Sequence, residues 1–422
     1  MATPETATRS YRRLFRNAGY LRVFAAGLGS VAGSSLAGVC LIWIVFTETG
    51  SALDVGLLGF AAVVGAILFS VFGGTLVDRY DRRLLMVLSD VSRAAGVGLV
   101  VVVLLAHGFS LPAMLAAEFI LGAFTTVFNP AEQAVIPSLV EEGLVADANG
   151  LVRSSRSSLQ FVGASVAGVL IVTVGPVVGL VANVATFLLS ASLLVGLSVE
   201  SPRRAARGVE AGSYLRDLRA GFRWLWEAKG FLELTLSATF FNFCAGVVGT
   251  FLVFYATEVL HGSALVYALL LALEVGGTGL GSLLVGRTGA IRWAGRAWTI
   301  PYGVASGGAA LALALVPSVP VALAAMFALG VLGGFAGTAW LSAAQLLVPH
   351  DMQGRYFGID SLGSYAIIPA AQIGGAFLLL AVGVQPAYLL TAVVWVIAGA
   401  VFLAPRALWN LGVRPGERAQ VP

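Results

Sequence analysis

Between two apolar runs, residues 74–83 read Gly74-Thr-Leu-Val-Asp78-Arg79-Tyr-Asp81-Arg82-Arg83. The run before it, 55–77, and the run after it, 84–106, are each long enough to cross hydrocarbon as a helix. That crossing takes about 20 residues at about 1.5 Å each. A turn this dense in charge cannot lie in hydrocarbon, so the chain must leave the membrane here and re-enter it. Its three arginines mark the side, because basic residues are retained on the cytoplasmic face.

Working outward, the same pattern repeats along the chain. Apolar stretches fall at 23–46, 55–77, 84–106, 111–133, 150–174, 177–198, 231–256, 264–286, 297–316, 319–341, 356–382 and 386–404. Of the 25 Lys and Arg residues, all but Arg93 group at alternate connections. Arg9, Arg12, Arg13, Arg16 and Arg22 precede the first stretch, and Arg153 and Arg156 mark the fourth-to-fifth junction. A long central segment holds Arg203, Arg204, Arg207 and Lys229 among others. Arg287, Arg292, Arg296 and Arg355 follow, and the tail has Arg406, Arg414 and Arg418. The intervening connections, at Thr47–Asp54, His107–Ser110, Gly175–Pro176, Thr257–Ser263, Pro317–Pro320 and Gly383–Gln385, hold none. The pattern predicts an all-α membrane protein of 12 transmembrane helices in the plasma membrane, with both termini cytoplasmic.

Composition agrees with lipid as the solvent. Hydrophobic residues make up 58% of the 422 and charged residues only 11%, against roughly 25% charged in a soluble domain. The net charge of +4 follows from the placement of the arginines and calls for no nucleic-acid partner. Cys40 and Cys244 both fall mid-helix and read as small apolar packers. His107, His261 and His350 are isolated loop residues, so neither a disulfide framework nor a metal site is expected. The first stretch is too long for a signal-peptide core and is expected to stay in the protein. No nucleotide-binding loop follows a strand and no nucleophile-base set is present. An enzyme or ATP-driven pump is therefore not expected, and neither is any cofactor.

The long segment divides the chain into residues 1–198, a basic linker 199–230 and residues 231–422. Within the linker, Tyr214-Leu-Arg-Asp-Leu-Arg-Ala-Gly-Phe-Arg-Trp-Leu-Trp-Glu mixes basic and apolar residues at helical spacing. That pattern suits an interfacial helix on an anionic lipid surface. The two halves also match each other. Gly73–Arg79 aligns with Gly281–Arg287, Ala131–Pro137 with Ala343–Pro349, and Gly163–Gly168 with Ala370–Gly375, at offsets of 208, 212 and 207. Six stretches per half keep the two copies in one orientation, so two pseudo-symmetric six-helix bundles are expected.

The turn at 74–83 resembles the signature Gly-x-Leu-x-Asp-Arg-x-Gly-Arg-Arg of the major facilitator superfamily, at the place in the topology where that family has it. The resemblance implies the major facilitator fold. It also makes Gly74, Asp78, Arg79, Arg82 and Arg83 a gating latch, with the arginines meeting carboxylates and headgroups. Asp81 replaces the usual glycine. Gly286 replaces the aspartate in the second copy, so the latch should be asymmetric. Phe128-Asn-Pro130-Ala131-Glu-Gln-Ala134-Val-Ile-Pro137-Ser-Leu-Val, then Ala148-Asn149-Gly, and Gly354-Arg355 further on, resemble the branch of drug, macrolide and siderophore exporters. Three positions depart from frequent exporter patterns. Gly163-Ala164-Ser-Val-Ala167-Gly168 lacks a proline, Glu118 stands before Gly122 where many have arginine, and Gly33-Ser34 stands where relatives have Gly-Asp.

An ionisable residue inside a span costs about 2.5–3.5 kcal/mol on insertion scales, so each should face a partner or water. Asp90 and Arg93, three apart, can neutralise one another. Glu118 is expected at a depth similar to that of Arg93, so a network across helices three and four is possible. Glu274 stands alone near the middle of the eighth stretch. Glu118 and Glu274, with Asp90 and Arg93, are the proton-coupling candidates. Ser34, Trp43, Gln160, Asn242, Trp340, Tyr365 and Gln372 are the candidates for an amphipathic substrate cavity. Glycine spacings at Gly29/Gly33, Gly277/Gly281 and Gly330/Gly334 read as close-packing helix faces. The expected function is export of amphipathic small molecules by a monomer using alternating access and proton antiport. A metabolite importer or facilitator, or a non-transporting receptor of the same fold, stays open as an alternative.

Overall fold

The computed structural model describes residues 13–197, 219, 221–288, 294–349, 352–353, 356–357, 359–360 and 367–410, nearly all of them helical. The long helices are α1 Ala18–Thr49, α2 Ala52–Arg79, α3 Arg82–His107, α4 Leu111–Leu139, α5 Val145–Thr173 and α6 Pro176–Val195. They continue with α7 Lys229–Thr250, α8 Ala264–Thr288, α9 Ser306–Leu315, α10 Val319–Leu347, α11 Ile368–Val382 and α12 Val384–Val401. Among the described residues, eleven helical stretches are long and apolar enough to cross a membrane, and α11 is a shorter apolar helix. The protein is an integral membrane protein.

Helix ends are set by local chemistry. Asn17, Ser51 and Asp81 cap α1, α2 and α3, each side chain accepting a backbone N–H of the first turn, which satisfies a donor with no partner inside the helix. Gly50, Gly108, Gly175 and Gly383 have φ between 59° and 89°, and each stands in a connection that carries no basic residue. Glycine takes this left-handed conformation without steric penalty, so the chain turns back within a few residues.

Several boundaries differ from the sequence expectation, two of them at the fourth-to-fifth junction. α4 runs on to Leu139 and α5 begins at Val145, beyond the ends of their apolar runs at 133 and 150. Backbone hydrogen bonding does not stop where side chains become polar, so hydropathy clips a helix that continues into a polar zone. Two others are locally widened. A π-helical turn, Tyr255–Val259, follows α7, and another, Trp298–Ala305, leads into α9 and contains Pro301. Proline supplies no backbone N–H, which suits a break in the α pattern.

The chain forms two compact units, Met1–Ala206 with Ser263–Ala268, and Arg207–Gly262 with Leu269–Pro422. In the first, α2 packs along α4, α1 along α5 and α6, and α3 along α4 and α6. The α2–α4 contact is backbone to backbone: a side chain at Gly65 would strike the Phe119 carbonyl, and one at Gly122 the Ala62 carbonyl. The second unit makes the same kind of contact between α8 and α10. There Gly277 meets the Phe327 carbonyl and Gly330 the Glu274 carbonyl, while Gly281 and Gly334 meet those of Val331 and Thr278. Lipid tails are as apolar as leucine, so this close van der Waals fit is what holds such helices together. Gly33 lies against Asn183 and Thr186 of α6.

Aromatic rings fill the space between α7, α9 and α12. Phe241 lies 5.6 Å from Tyr302 and 6.4 Å from Trp395, and Trp298 donates from Nε1 to Ser237 Oγ at 2.9 Å. Of the proposed interfacial helix, residues 221–227 are described and helical. Trp224 rests on Phe231 and Tyr356, Leu225 is buried, and Phe222 and Trp226 are exposed. Arg203, Arg204 and Arg207 of the linker lie outside the described residues.

Candidate functional site

The sharpest concentration of charge lies inside the first unit. On α3, Arg93 bonds Asp90 Oδ1 at 2.5 Å and donates from Nε to the Ser89 carbonyl at 3.3 Å. The two side chains are only 2% and 0% exposed. Ser190 on α6 donates to Asp90 Oδ2 at 2.5 Å and lies 3.0 Å from the Ala26 carbonyl of α1. The guanidinium also sits over two rings, Phe128 at 4.8 Å and Phe187 at 4.6 Å, a favourable place for a desolvated cation.

One turn beyond Phe128 on α4 is a carboxylate that sequence reasoning passed over. Glu132 is 1% exposed and its Oε2 lies 2.7 Å from Arg156 of α5, whose side chain is 19% exposed. Arg156 also donates to Asn129 Oδ1 at 2.9 Å. A Cβ at Gly27 of α1 would run into the Glu132 carboxylate, so a larger residue there would displace it. Asp90, Arg93, Glu132 and Arg156 act on one another electrostatically. They form two neutral pairs.

Glu118 does not join them. Arg93 lies against Phe128, ten residues along α4 from Glu118, which is about 15 Å at the helical rise. Depths counted from the ends of apolar runs placed the two side by side because the run was shorter than the helix. Glu118 is half-buried on α4 and Glu274 half-buried on α8. Neither carboxylate has a hydrogen-bond or ion-pair partner among the described residues. Arg156, read from sequence as a junction arginine, is a helix residue engaged in an ion pair.

The arginines of the charged turn meet carbonyls. Arg82 donates to Ala134 O at 2.9 Å, and Arg83 to Val195 O and Leu197 O at 3.1 and 3.2 Å. Arg22 reaches Gly196 O at 2.8 Å. Cations thus complete the C-terminal end of α6, where unpaired carbonyls gather negative charge. The side chains of Asp78 and Arg79, and the surroundings of Gly74, lie outside what is described.

The cavity candidates are spread over several helices. Ser34 on α1 is half-buried and bonds back to Ser30 O at 2.8 Å. Trp43 on the same helix lies 5.8 Å from Phe46. Gln160 on α5 is exposed, and its carbonyl accepts from Ser35 at 2.8 Å. Asn242 on α7 is half-buried, Trp340 on α10 is 6.3 Å from Trp298, and Gln372 on α11 is buried. Tyr365, His350 and Arg355 lie outside the described residues. The first unit has an open groove of about 380 Å³ between α1 and α5, and neither Ser34 nor Gln160 lines it. Phe24, Leu28 and Leu159 supply its apolar wall, and Ser154, Ser155 and Ser158 its hydroxyls. Sequence reading missed this serine face, although its spacing was visible.

Two more buried polar groups were missed. Asp360 is 3% exposed and accepts from Thr235 Oγ1 at 2.8 Å. Asn183 on α6 is fully buried, and neither amide atom has a hydrogen-bond partner among the described residues. Asp360 falls within a stretch read as continuously apolar, and nothing in its neighbours' spacing signals it.

Comparison with known proteins adds an independent line. Residues 23–371 match the profile described as Major Facilitator Superfamily. The chain is 23% identical over 390 residues to the uncharacterized MFS-type transporter YvqJ of Bacillus subtilis (strain 168), covering 91% of each chain. It is 26% identical over 409 residues to the multidrug efflux pump Tap of Mycolicibacterium fortuitum, covering 94% of this chain and 98% of Tap. Among solved structures it resembles a bacterial homolog of the human lysosomal transporter Spinster, with a TM-score of 0.69 at 16% identity over 94% of this chain and 99% of that one.

Proposed function

The chain belongs to the Major Facilitator Superfamily, and from that premise we propose that this transporter exports amphipathic small molecules of drug, natural-product or siderophore type in exchange for protons. It works as a monomer in the cytoplasmic membrane, with both termini inside. The observation that carries the reading is the α1–α5 groove, apolar on one wall and lined by serine hydroxyls on the other. Such a surface suits a solute with both an apolar body and polar groups. Similarity to Tap along nearly the whole chain, and the Phe128–Val140 stretch typical of exporters, support outward movement. Alternating access would let the groove face each side in turn.

Protons provide adequate drive. One charge crossing 100 mV is worth about 2.3 kcal/mol, roughly a fiftyfold concentration ratio. Glu118 and Glu274, half-buried carboxylates without bonded partners among the described residues, are the proton-carrying candidates outside the ion-pair cluster. Gly74, Asp78, Arg79, Arg82 and Arg83 form the latch that favours one access state.

The test uses everted membrane vesicles and a panel of dyes and antibiotics. A pH gradient, acid inside, should drive accumulation several-fold above vesicles lacking the protein, and overexpressing cells should tolerate the same compounds. Accumulation in intact cells would instead identify an importer. Absence of gradient-dependent flux across the panel would leave a receptor as the better account. Glu274→Gln with undiminished pH-dependent efflux would remove that residue from the mechanism.

A further inference from the structure

Besides the exposed Arg13–Glu141 pair, the described residues of the first unit hold two interior ion pairs that are built differently, and the difference assigns them different jobs. Asp90 and Arg93 share one helix, are sealed from solvent, and are held by Ser190, Ser89 and two aromatic rings. Both partners have alternatives to each other, and neither has access to water. Glu132 and Arg156 bridge two helices, α4 and α5. Neither carboxylate oxygen has a hydrogen-bond partner among the described residues, so the ion pair is the contact that holds it. Its guanidinium partner is shared with Asn129 and reaches the surface of the protein.

We infer that Glu132 and Arg156 form the exchangeable proton site of this transporter, with Glu132 taking the proton and Arg156 holding its place when it leaves. The inference rests on the proton-driven reading above and locates the proton on a pair that reading did not use. When Glu132 is ionised, its Oε2 is ion-paired with Arg156 and the site is neutral. A proton arriving on the carboxylate cancels that charge and leaves one positive charge on Arg156, which keeps its bond to Asn129. Loss of the proton restores the pair. No other bond is made or broken.

The surroundings make this a responsive site. Among the described side chains, the charged groups acting on Glu132 are Asp90 and Arg93 from α3 and Arg156 from α5. α1 meets it through the Gly27 backbone, and no described titratable group of α1 or α2 is among those acting on it. Since Asp90 and Arg93 cancel one another, the local balance turns on Arg156. Because the pair ties α4 to α5, its opening releases a contact between helices as well as a charge.

Infrared titration of the purified, reconstituted protein tests the assignment without a substrate. Acidification should produce a protonated-carboxyl stretch in the wild-type protein that disappears in Glu132→Gln. The same component should persist in Asp90→Asn, Glu118→Gln and Glu274→Gln. Arg156→Gln should move its midpoint by at least about tenfold in proton concentration, one pH unit. Glu132→Asp, which keeps a carboxylate, should shift the component rather than abolish it, separating proton loss from collapse of the site. Survival of the component in Glu132→Gln, or a wild-type protein with no titrating carboxyl, overturns the inference. Ethidium uptake into everted vesicles keeps the two readings apart. Loss of the band with no gradient-driven ethidium in the wild type leaves the proton site standing and removes antiport. Equal gradient-driven uptake in wild type and Glu132→Gln does the reverse.

Discussion

Asp81 stands where the resembled signature has glycine, and its Oδ1 accepts the Leu84 N–H at 3.1 Å as the N-cap of α3. Removing that acceptor by Asp81→Ala should cost about 1 kcal/mol, whereas Asp81→Gly should cost only a few tenths. Thermal unfolding in detergent checks this, with the alanine variant melting clearly lower; equal melting of the two would mean the cap contributes nothing. Other carboxylates were legible to different degrees. Asp90 and Arg93 could be paired on paper because three residues on one helix bring side chains to one face. Glu132 and Arg156 could not, since they lie 24 positions apart on two helices and each stood at the margin of an apolar run. Arg156 was counted with the arginines of the fourth-to-fifth junction and Glu132 was not singled out, whereas the structure pairs them inside the first unit. The serine face of the α1–α5 groove was visible in spacing alone, but only the neighbouring helix shows that it lines a groove.

At the scale of elements, glycine spacing was the most faithful guide. Gly277/Gly281 and Gly330/Gly334 were read as packing faces, and they press against carbonyls across α8 and α10. A four-residue glycine interval puts two gaps on one side of a helix, which is why that contact was readable. Gly65 and Gly122 do the same for α2 and α4 without such an interval, and they were not singled out. Gly330→Ala should therefore force α8 and α10 apart and cost on the order of 1–3 kcal/mol, as overpacking does. Gly337→Ala, on the same helix with open space around it, should be neutral or stabilising by about 0.5–1 kcal/mol. The temperature at which each purified variant loses its monomer peak compares them, and equal losses would mean that the close approach does not govern stability. The π-helical turns before α9 and after α7 were beyond sequence periodicity, because one extra residue per turn alters the pattern too locally to register.

At the scale of the whole molecule, the number and order of helices followed from two facts about the chain, long apolar runs and arginines at alternate connections. Lipid forbids an unpaired backbone, so each run has one permitted structure, and that is why the fold was readable where the site was not. Thiol labelling reads the sidedness directly. Cys40 and Cys244 are buried, so introduced thiols should dominate labelling. Ser110, whose side chain makes no capping bond, and Gly143, with open space around it, are suitable positions. A membrane-impermeant maleimide should label Ser110→Cys in intact cells and Gly143→Cys only after permeabilisation; the opposite pattern would invert the proposed orientation. The carbonyls seated in glycine notches bear on motion too. Two rods meshed that tightly cannot slide or roll past one another without lifting apart. Within each unit the second and fourth helices therefore travel as one double-width plank, and any rearrangement that carries a solute must be hinged elsewhere.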